Sequence, residues 1–190
     1  MARAGLTTLA VIEAAAQMLD EQGEEGLSIA ALADGLGVRP PSLYKHVDGM
    51  AGLRRGIMVR AKADLADTLG QAAIGKARAD AVRSVALAYR QWAKDHPGQY
   101  PLTMRAPAPA DEEDEEVSTT LVTVLYRIVA GYEITGDDDL IDAIRYLRSA
   151  LHGFVDLETT GAFELPRDLE RSFARVIDAI TTSLMAWTDS

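Results

Sequence analysis

Residues 29–47, Ile-Ala-Ala-Leu-Ala-Asp-Gly-Leu-Gly-Val-Arg-Pro-Pro-Ser-Leu-Tyr-Lys-His-Val, constrain the fold more than any other stretch. Ser28 is placed to cap a short helix from Ile29 to about Leu36. Gly37 stops it with a residue that tolerates positive φ. Arg39-Pro40-Pro41 open a second helix, since proline is accepted in a first turn, and that helix is predicted to continue through Val47. Two short helices that cross steeply need a small residue at the crossing, and Ala33 supplies it. Leu32, Leu36, Val38, Leu43 and Val47 then fill the angle between them. Arg39, Pro41, Ser42, Tyr44, Lys45 and His46 are left outward. These are hydrogen-bonding or stacking groups suited to base edges and phosphates in a major groove. The pattern is that of a helix-turn-helix.

Glycine and proline divide the rest into helical stretches as well. A first helix is expected from about Thr7 to Gln22, with Leu9, Ile12, Ala16 and Leu19 at helical spacing and Gly23 as its stop. A fourth spans about Met50 to Leu69, and another runs from about Ala77 to His96, closed by His96-Pro97-Gly98. Residues 97–110 hold four of the seven prolines, so they read as a loop with room for one short turn. Helices are then expected over about 117–130, 140–160 and 166–187. No segment alternates like a strand. The fold class is therefore all-α: a helix-turn-helix, DNA-binding unit over 1–50, and a larger helical body over 51–190.

Charge opposes this reading at first sight. The chain carries 19 basic and 29 acidic residues, a formal charge of −10, where a nucleic-acid protein usually shows a basic footprint. Residues 1–60 are nearly balanced, however: six basic groups (Arg3, Arg39, Lys45, Arg54, Arg55, Arg60) face seven acidic ones. Most of the negative charge lies in the body. The chain has no cysteine, which removes disulfides, thiolate metal sites and thiol nucleophiles together. It lacks an apolar run of membrane-spanning length and a signal peptide's apolar region, so a cytoplasmic protein is expected.

The flanks of the motif sharpen the assignment. Val11-Ile12-Glu13-Ala14-Ala15-Ala16 through Gly23, then Gly26-Leu27-Ser28-Ile29, and above all Ser42-Leu43-Tyr44-Lys45-His46-Val47, resemble the opening of the TetR family of bacterial regulators over roughly residues 6–55. Ala88-Tyr89-Arg90-Gln91-Trp92-Ala93, His96-Pro97-Gly98-Gln99-Tyr100 and Leu151-His152-Gly153-Phe154-Val155 resemble one subgroup of that family's ligand domains, the WHG type. The resemblance implies a transcriptional regulator, expected to be a repressor, that binds double-stranded operator DNA as a homodimer. It also implies release by a small-molecule effector, with no cofactor. Ser28, Arg39, Pro41, Ser42, Tyr44, Lys45 and His46 then fall where the family touches DNA. Two features depart from the pattern. Met50 stands where many members have lysine, and Arg3 is the only basic residue of the N-terminal arm. Fewer phosphate contacts follow, hence weaker and less salt-sensitive binding. The same departures leave open a helical small-molecule sensor, or a protein-interaction module, that has lost DNA binding.

In the body, the resemblance implies a cavity lined by some of Tyr89, Trp92, Tyr100, Met104, Tyr126, Tyr146, His152 and Phe154. Tyrosine hydroxyls and His152 are the expected polar anchors, so a largely hydrophobic ligand is predicted. The acidic run at 111–116 and Asp137-Asp138-Asp139 read as solvated charge at helix starts, where the helix dipole favours them. His152 and Asp156 are one turn apart, but nothing nearby completes a ligand set, so no metal is expected. The histidines stand on separate helices and no nucleophile motif occurs, so no enzymatic activity is expected. Dimerisation is assigned to the last two helices, about 139–160 and 167–187. Their apolar stripes are wide enough to serve a core and a partner together.

Overall fold

The computed structural model describes residues 6–134 and 136–187; Arg3 lies outside the described residues. Nine helices occur among them, and no strand. α1 (Thr8–Gly26) starts where Thr7 Oγ1 accepts from the Ala10 amide at 3.1 Å. It is interrupted at Gly23, whose φ of 69° takes it out of helical geometry three residues before the end.

Ser28 caps α2 (Ile29–Gly35), its Oγ accepting from the Ala31 amide at 3.1 Å. Gly37 adopts φ 65°, and the Val38 amide donates to the Ala33 carbonyl at 2.9 Å, so the turn folds onto the small residue at the crossing. α3 (Pro40–Leu43) is shorter than expected. Pro40 and Pro41 have no N–H to give, so the first bond of this segment runs from Ser42 to the Arg39 carbonyl. Beyond it, the His46 and Val47 amides both converge on the Leu43 carbonyl, at 2.8 and 3.0 Å. Tyr44, Lys45 and His46 thus sit on tight turns at the helix end rather than on a continuing α-helix.

Val11, Leu19, Leu32, Ala33 and Leu43 pack into one core, together with Leu53 and Ile57 from α4 (Gly49–Ala73). Further along α4, Ala61, Leu65 and Leu69 belong to a second core. α4 therefore ties the head, α1–α3, to the body. The body adds α5 (Arg78–Asp95), α6 (Tyr100–Thr103), α7 (Glu112–Ala130), α8 (Asp137–Thr159) and α9 (Leu169–Ala186). Val85, Tyr89, Leu125, Val129, Leu147, Leu151, Phe173 and Ile177 fill its core. α6 is the one short turn for which the proline-rich loop had room. No helix among the described residues is long and apolar enough to cross a membrane.

α7 begins five residues earlier than expected, because Asp111 caps it through the Asp114 amide and draws residues 112–116 into the helix. Three carboxylates in that first turn are solvent-exposed, but Asp114 is completely buried. α8 likewise starts at Asp137, with the three aspartates in its first turn.

Candidate nucleic-acid interface and ligand cavity

The polar groups of the head differ in exposure. Arg39, Pro41, Tyr44 and Lys45 are exposed, Tyr44 at 60%, whereas Ser42 and His46 are half-buried. His46 Nδ1 lies 3.4 Å from Thr8 Oγ1, which ties the end of this segment to the start of α1. Ser28 is exposed; its oxygen serves the cap, leaving its O–H free to donate outward. The positive charges are sorted. Arg54 pairs with Glu24 at 2.8 Å, Arg55 with Asp111 at 2.6 Å and Glu113 at 2.9 Å, and Arg60 lies 3.9 Å from Glu13. The Arg55 fork holds the Asp111 carboxyl well below the usual range, at about 2. Arg39 and Lys45 form no ion pair with any described residue. Near-balance of charge over residues 1–60 thus conceals two exposed cations of the motif that have no acidic partner among the described residues.

A clasp joins head and body. Asp20 of α1 accepts from the Gly98 and Gln99 amides at 2.9 and 3.0 Å and from Gln99 Nε2 at 2.6 Å, with His96 Nδ1 at 3.1 Å. The chain passes so close to α1 that a Cβ on Gly98 would stand 2.3 Å from the Leu19 carbonyl oxygen. The partners of Asp20 lie nearly eighty residues away, and only the fold brings them together.

The body encloses a cavity of about 220 Å³ between α4, α5, α7 and α8, closed on one side by α6 and residues 105–107. Leu69, Val85, Leu121, Leu125 and Leu151 give it an apolar wall. Of the eight expected lining residues, Tyr89 and Met104 border it. Tyr100 and His152 stand behind Tyr89 in a relay: Tyr89 Oη to Tyr100 Oη is 2.8 Å, and Tyr100 Oη to His152 Nδ1 is 2.6 Å. Burial pushes the Tyr89 hydroxyl up to about 12 and the Tyr100 hydroxyl further still. Both phenols remain protonated donors.

The other four lie elsewhere. Trp92 is turned to α4, where its Nε1 donates to Asp64 at 2.7 Å. Tyr146 donates to Ser183 at 3.2 Å and packs on Trp187. Phe154 stacks between Phe163 and Phe173 at 4.9 and 5.0 Å between centroids. Tyr126 is 46% exposed on α7.

Sequence reasoning missed most of the polar side of the cavity, which carries Lys62, Arg105, Thr103 and Ser118 beside Arg148. Lys62 is 1% exposed and donates to Asp114 Oδ1 and, at 3.1 Å, to Ser118 Oγ. A signal for Asp114 was present. Counting back from Ile128 and Leu125 by helical steps leads through Leu121 to Asp114, so this one acid of the run lies on the apolar stripe. Arg90 is buried. It forms a two-bond fork with Glu158 at 2.6 Å, a third bond to Glu170 at 2.6 Å, and lies 5.0 Å over the Phe173 ring.

The chain matches two family models: "Bacterial regulatory proteins, tetR family" over residues 11–57, and "Tetracyclin repressor-like, C-terminal domain" over residues 82–180. The chain belongs to the TetR family. Among relatives of this TetR protein, the uncharacterized HTH-type transcriptional regulator YobS of Bacillus subtilis is 33% identical over 183 residues, 96% of this chain and 95% of the relative. A second such uncharacterized regulator, Rv0681 of Mycobacterium tuberculosis, is 37% identical over 162 residues, 85% of this chain and 74% of the relative. Among solved structures, a TetR variant of Acinetobacter baumannii AYE in complex with minocycline shares the fold, with a TM-score of 0.73 at 20% identity. That match covers 98% of this chain and all of that one. This TetR chain is thus a DNA-binding transcriptional regulator of a non-enzymatic family.

Proposed function

We propose that this regulator is a homodimeric cytoplasmic repressor, released from its operator by a small, largely apolar molecule in the body cavity. The observation that carries the reading is the position of α6. Leu102 packs into the head core and Tyr100 into the body core, while Thr103 and the adjacent Met104 border the cavity. A molecule that displaces Met104 therefore pushes on a helix that also supports α1 and α4. The Asp20 clasp at 96–99 transmits the same displacement to α1. The Acinetobacter relative of this fold was solved with minocycline bound, which supports a ligand-binding role for the class of structure.

Each head would bind one half-site. Arg39 and Ser42 are the base-reading candidates; Ser28, Tyr44, Lys45 and His46 hold phosphates, and Pro41 fits the groove wall. Tyr89 and Met104 contact the ligand directly, with Tyr100 and His152 behind them. Two heads entering successive major grooves must stand roughly 34 Å apart. A ligand that favours another spacing lowers affinity for DNA. α8 and α9 spend Leu147, Leu151, Phe173 and Ile177 on the protomer's own core, while α8 keeps Ile141 and Leu157 exposed at 46% and 44%.

The test is operator selection from a random duplex pool, followed by fluorescence anisotropy with the selected site and compounds that raise thermal stability. Expected are a two-fold-symmetric site and a roughly 5–150-fold loss of affinity with ligand. Selection of no sequence overturns the operator reading. Compounds that bind without moving operator affinity overturn release.

A further inference from the structure

The cavity has an apolar interior and a cationic rim. Arg105 and Arg148 border it, both are exposed, and neither forms an ion pair with any described residue. Elsewhere in the body Arg90 is matched by Glu158 and Glu170, Arg78 by Glu133 and Arg83 by Asp178, while Arg127, Arg167, Arg171 and Arg175 also lack an ion pair with a described residue but do not border this cavity. Deeper in, Lys62 is already neutralised by Asp114. Lys62 uses two of its three donors, on Asp114 and Ser118. The formal balance of the lining with its one bound acid is therefore three cations against one anion. In a chain of net charge −10, what sets Arg105 and Arg148 apart is their place at the edge of an apolar cavity, where the polar end of a bound molecule would meet them.

We propose that the effector is an amphipathic carboxylate: an apolar chain or small ring against Leu69, Val85, Leu121, Leu125 and Leu151, with its anionic head at Arg105 and Arg148. This rests on the reading of the body as the ligand-binding part. Guanidinium suits the head because its planar fork donates two parallel bonds to a carboxylate. Burial of the tail drives binding, and the arginines fix which end stays at the rim. The volume lies below the roughly 300–1,000 Å³ of pockets for drug-sized ligands, so the molecule is short. Asp156, on the same helix as Arg148, acts on Tyr89 and Tyr100 with the opposite sign to Arg148. It does not border the cavity, so the carboxylate head meets cations rather than acid.

The experiment is calorimetric titration of the full-length protein with octanoate, octan-1-ol and octylamine, which share a chain and differ in head group. Octanoate is expected to bind at least about tenfold more tightly than octan-1-ol, equivalent to about 1.4 kcal/mol, with octylamine weakest. Salt should narrow the gap, because the cations are exposed. In the Arg105→Gln, Arg148→Gln double variant the preference should vanish while octan-1-ol affinity stays. Neither side chain supports the core, so the variant keeps its fold, checked by thermal unfolding. Equal binding of octanoate and octan-1-ol, a preference that survives in the double variant, or binding of none of the three overturns the proposal. Anisotropy with the selected operator is read separately. Octanoate preference without loss of DNA affinity upholds the ligand class and removes the release mechanism.

Discussion

The exposed cations of the head and the buried ion pairs of the body handle charge in opposite ways. In the body, Lys62 with Asp114 and Arg90 with Glu158 are side-chain pairs less than a tenth exposed. In the head, Arg39 and Lys45 stand in solvent without acidic partners. A buried pair has already spent its electrostatics inside the protein, and breaking it leaves an uncompensated charge in low dielectric. An exposed unpaired cation has lost nothing on folding and can exchange its counterions for a phosphate. Substitutions in the two regions should therefore move different observables. Body pairs should govern unfolding, and head cations should govern DNA affinity.

The largest effect is expected from Asp114→Asn. It removes the carboxylate from a fully buried ammonium, and breaking such a pair typically costs about 3–5 kcal/mol. Urea unfolding should show this loss. Replacing both partners, as Lys62→Met with Asp114→Leu, should restore most of it, since an apolar pair of similar volume needs no desolvation of charge. A loss under about 1 kcal/mol, the range of exposed pairs, would show that water reaches Lys62 through the cavity, and would break the contrast at its strongest point.

Glu158→Gln comes next, because Glu170 still serves Arg90. A loss of about 1.5–3 kcal/mol is expected near neutral pH, the scale of hydrogen bonds to charged groups. The hydrogen-bonded fork with Arg90 holds the Glu158 carboxyl below its ordinary value. A depressed folded-state value gives stability that is present above the unfolded value, about 4.3, and lost as pH falls through the folded one. Wild type and variant should therefore converge in unfolding experiments at acid pH. A constant gap from pH 7 into that range would mean the carboxylate charge contributes nothing.

The same contrast explains how much could be read before the structure. The head was legible because its signals are local. Ser28, Ala33, Gly37 and Pro40 act within a few residues of themselves, on caps, turns and a crossing. The end of α3 was drawn too long, since two prolines and a shared Leu43 carbonyl decide it, and periodicity does not see carbonyls. The body's helices were legible from their stripes, but its polar groups were not. Lys62 and Asp114 are 52 residues apart, Arg90 and Glu158 68, and no spacing rule pairs side chains at such separations. Aromatic residues likewise advertise burial without saying against what. Trp92 and Phe154 turned out to pack on Asp64 and Phe173, and the cavity instead took arginines from a loop and from α8.

In the head, Arg39→Ala should leave unfolding unchanged within about 0.5 kcal/mol, as expected for an exposed position outside caps and core. Operator binding should weaken by about 1–3 kcal/mol, with preference relaxed at one base pair per half-site. Competition among single-base operator variants reads this directly. Uniform weakening across all variants would reassign Arg39 to the phosphate backbone.

Lys45→Ala is the smallest expected change and the most diagnostic. Lys45 is exposed, lies on the turn after α3 and forms no ion pair with a described residue. Its ammonium is a flexible point charge, unable to make the planar fork with which arginine reads guanine. If it neutralises one phosphate per protomer, each substitution retains one counterion that wild type releases. The slope of log affinity against log salt should then become shallower by about 0.9 per protomer, or about 1.8 for a dimer on two half-sites. The loss should be the same for operator and unrelated DNA, and it should shrink as salt rises until variant and wild type coincide. Anisotropy titrations at several salt concentrations give slope and ratio together. An unchanged slope would place Lys45 away from the duplex. A slope change confined to operator DNA would mean that Lys45 meets phosphate only once the bases are read. In that case its position depends on the docking that Arg39 and Ser42 provide, and the two roles are one.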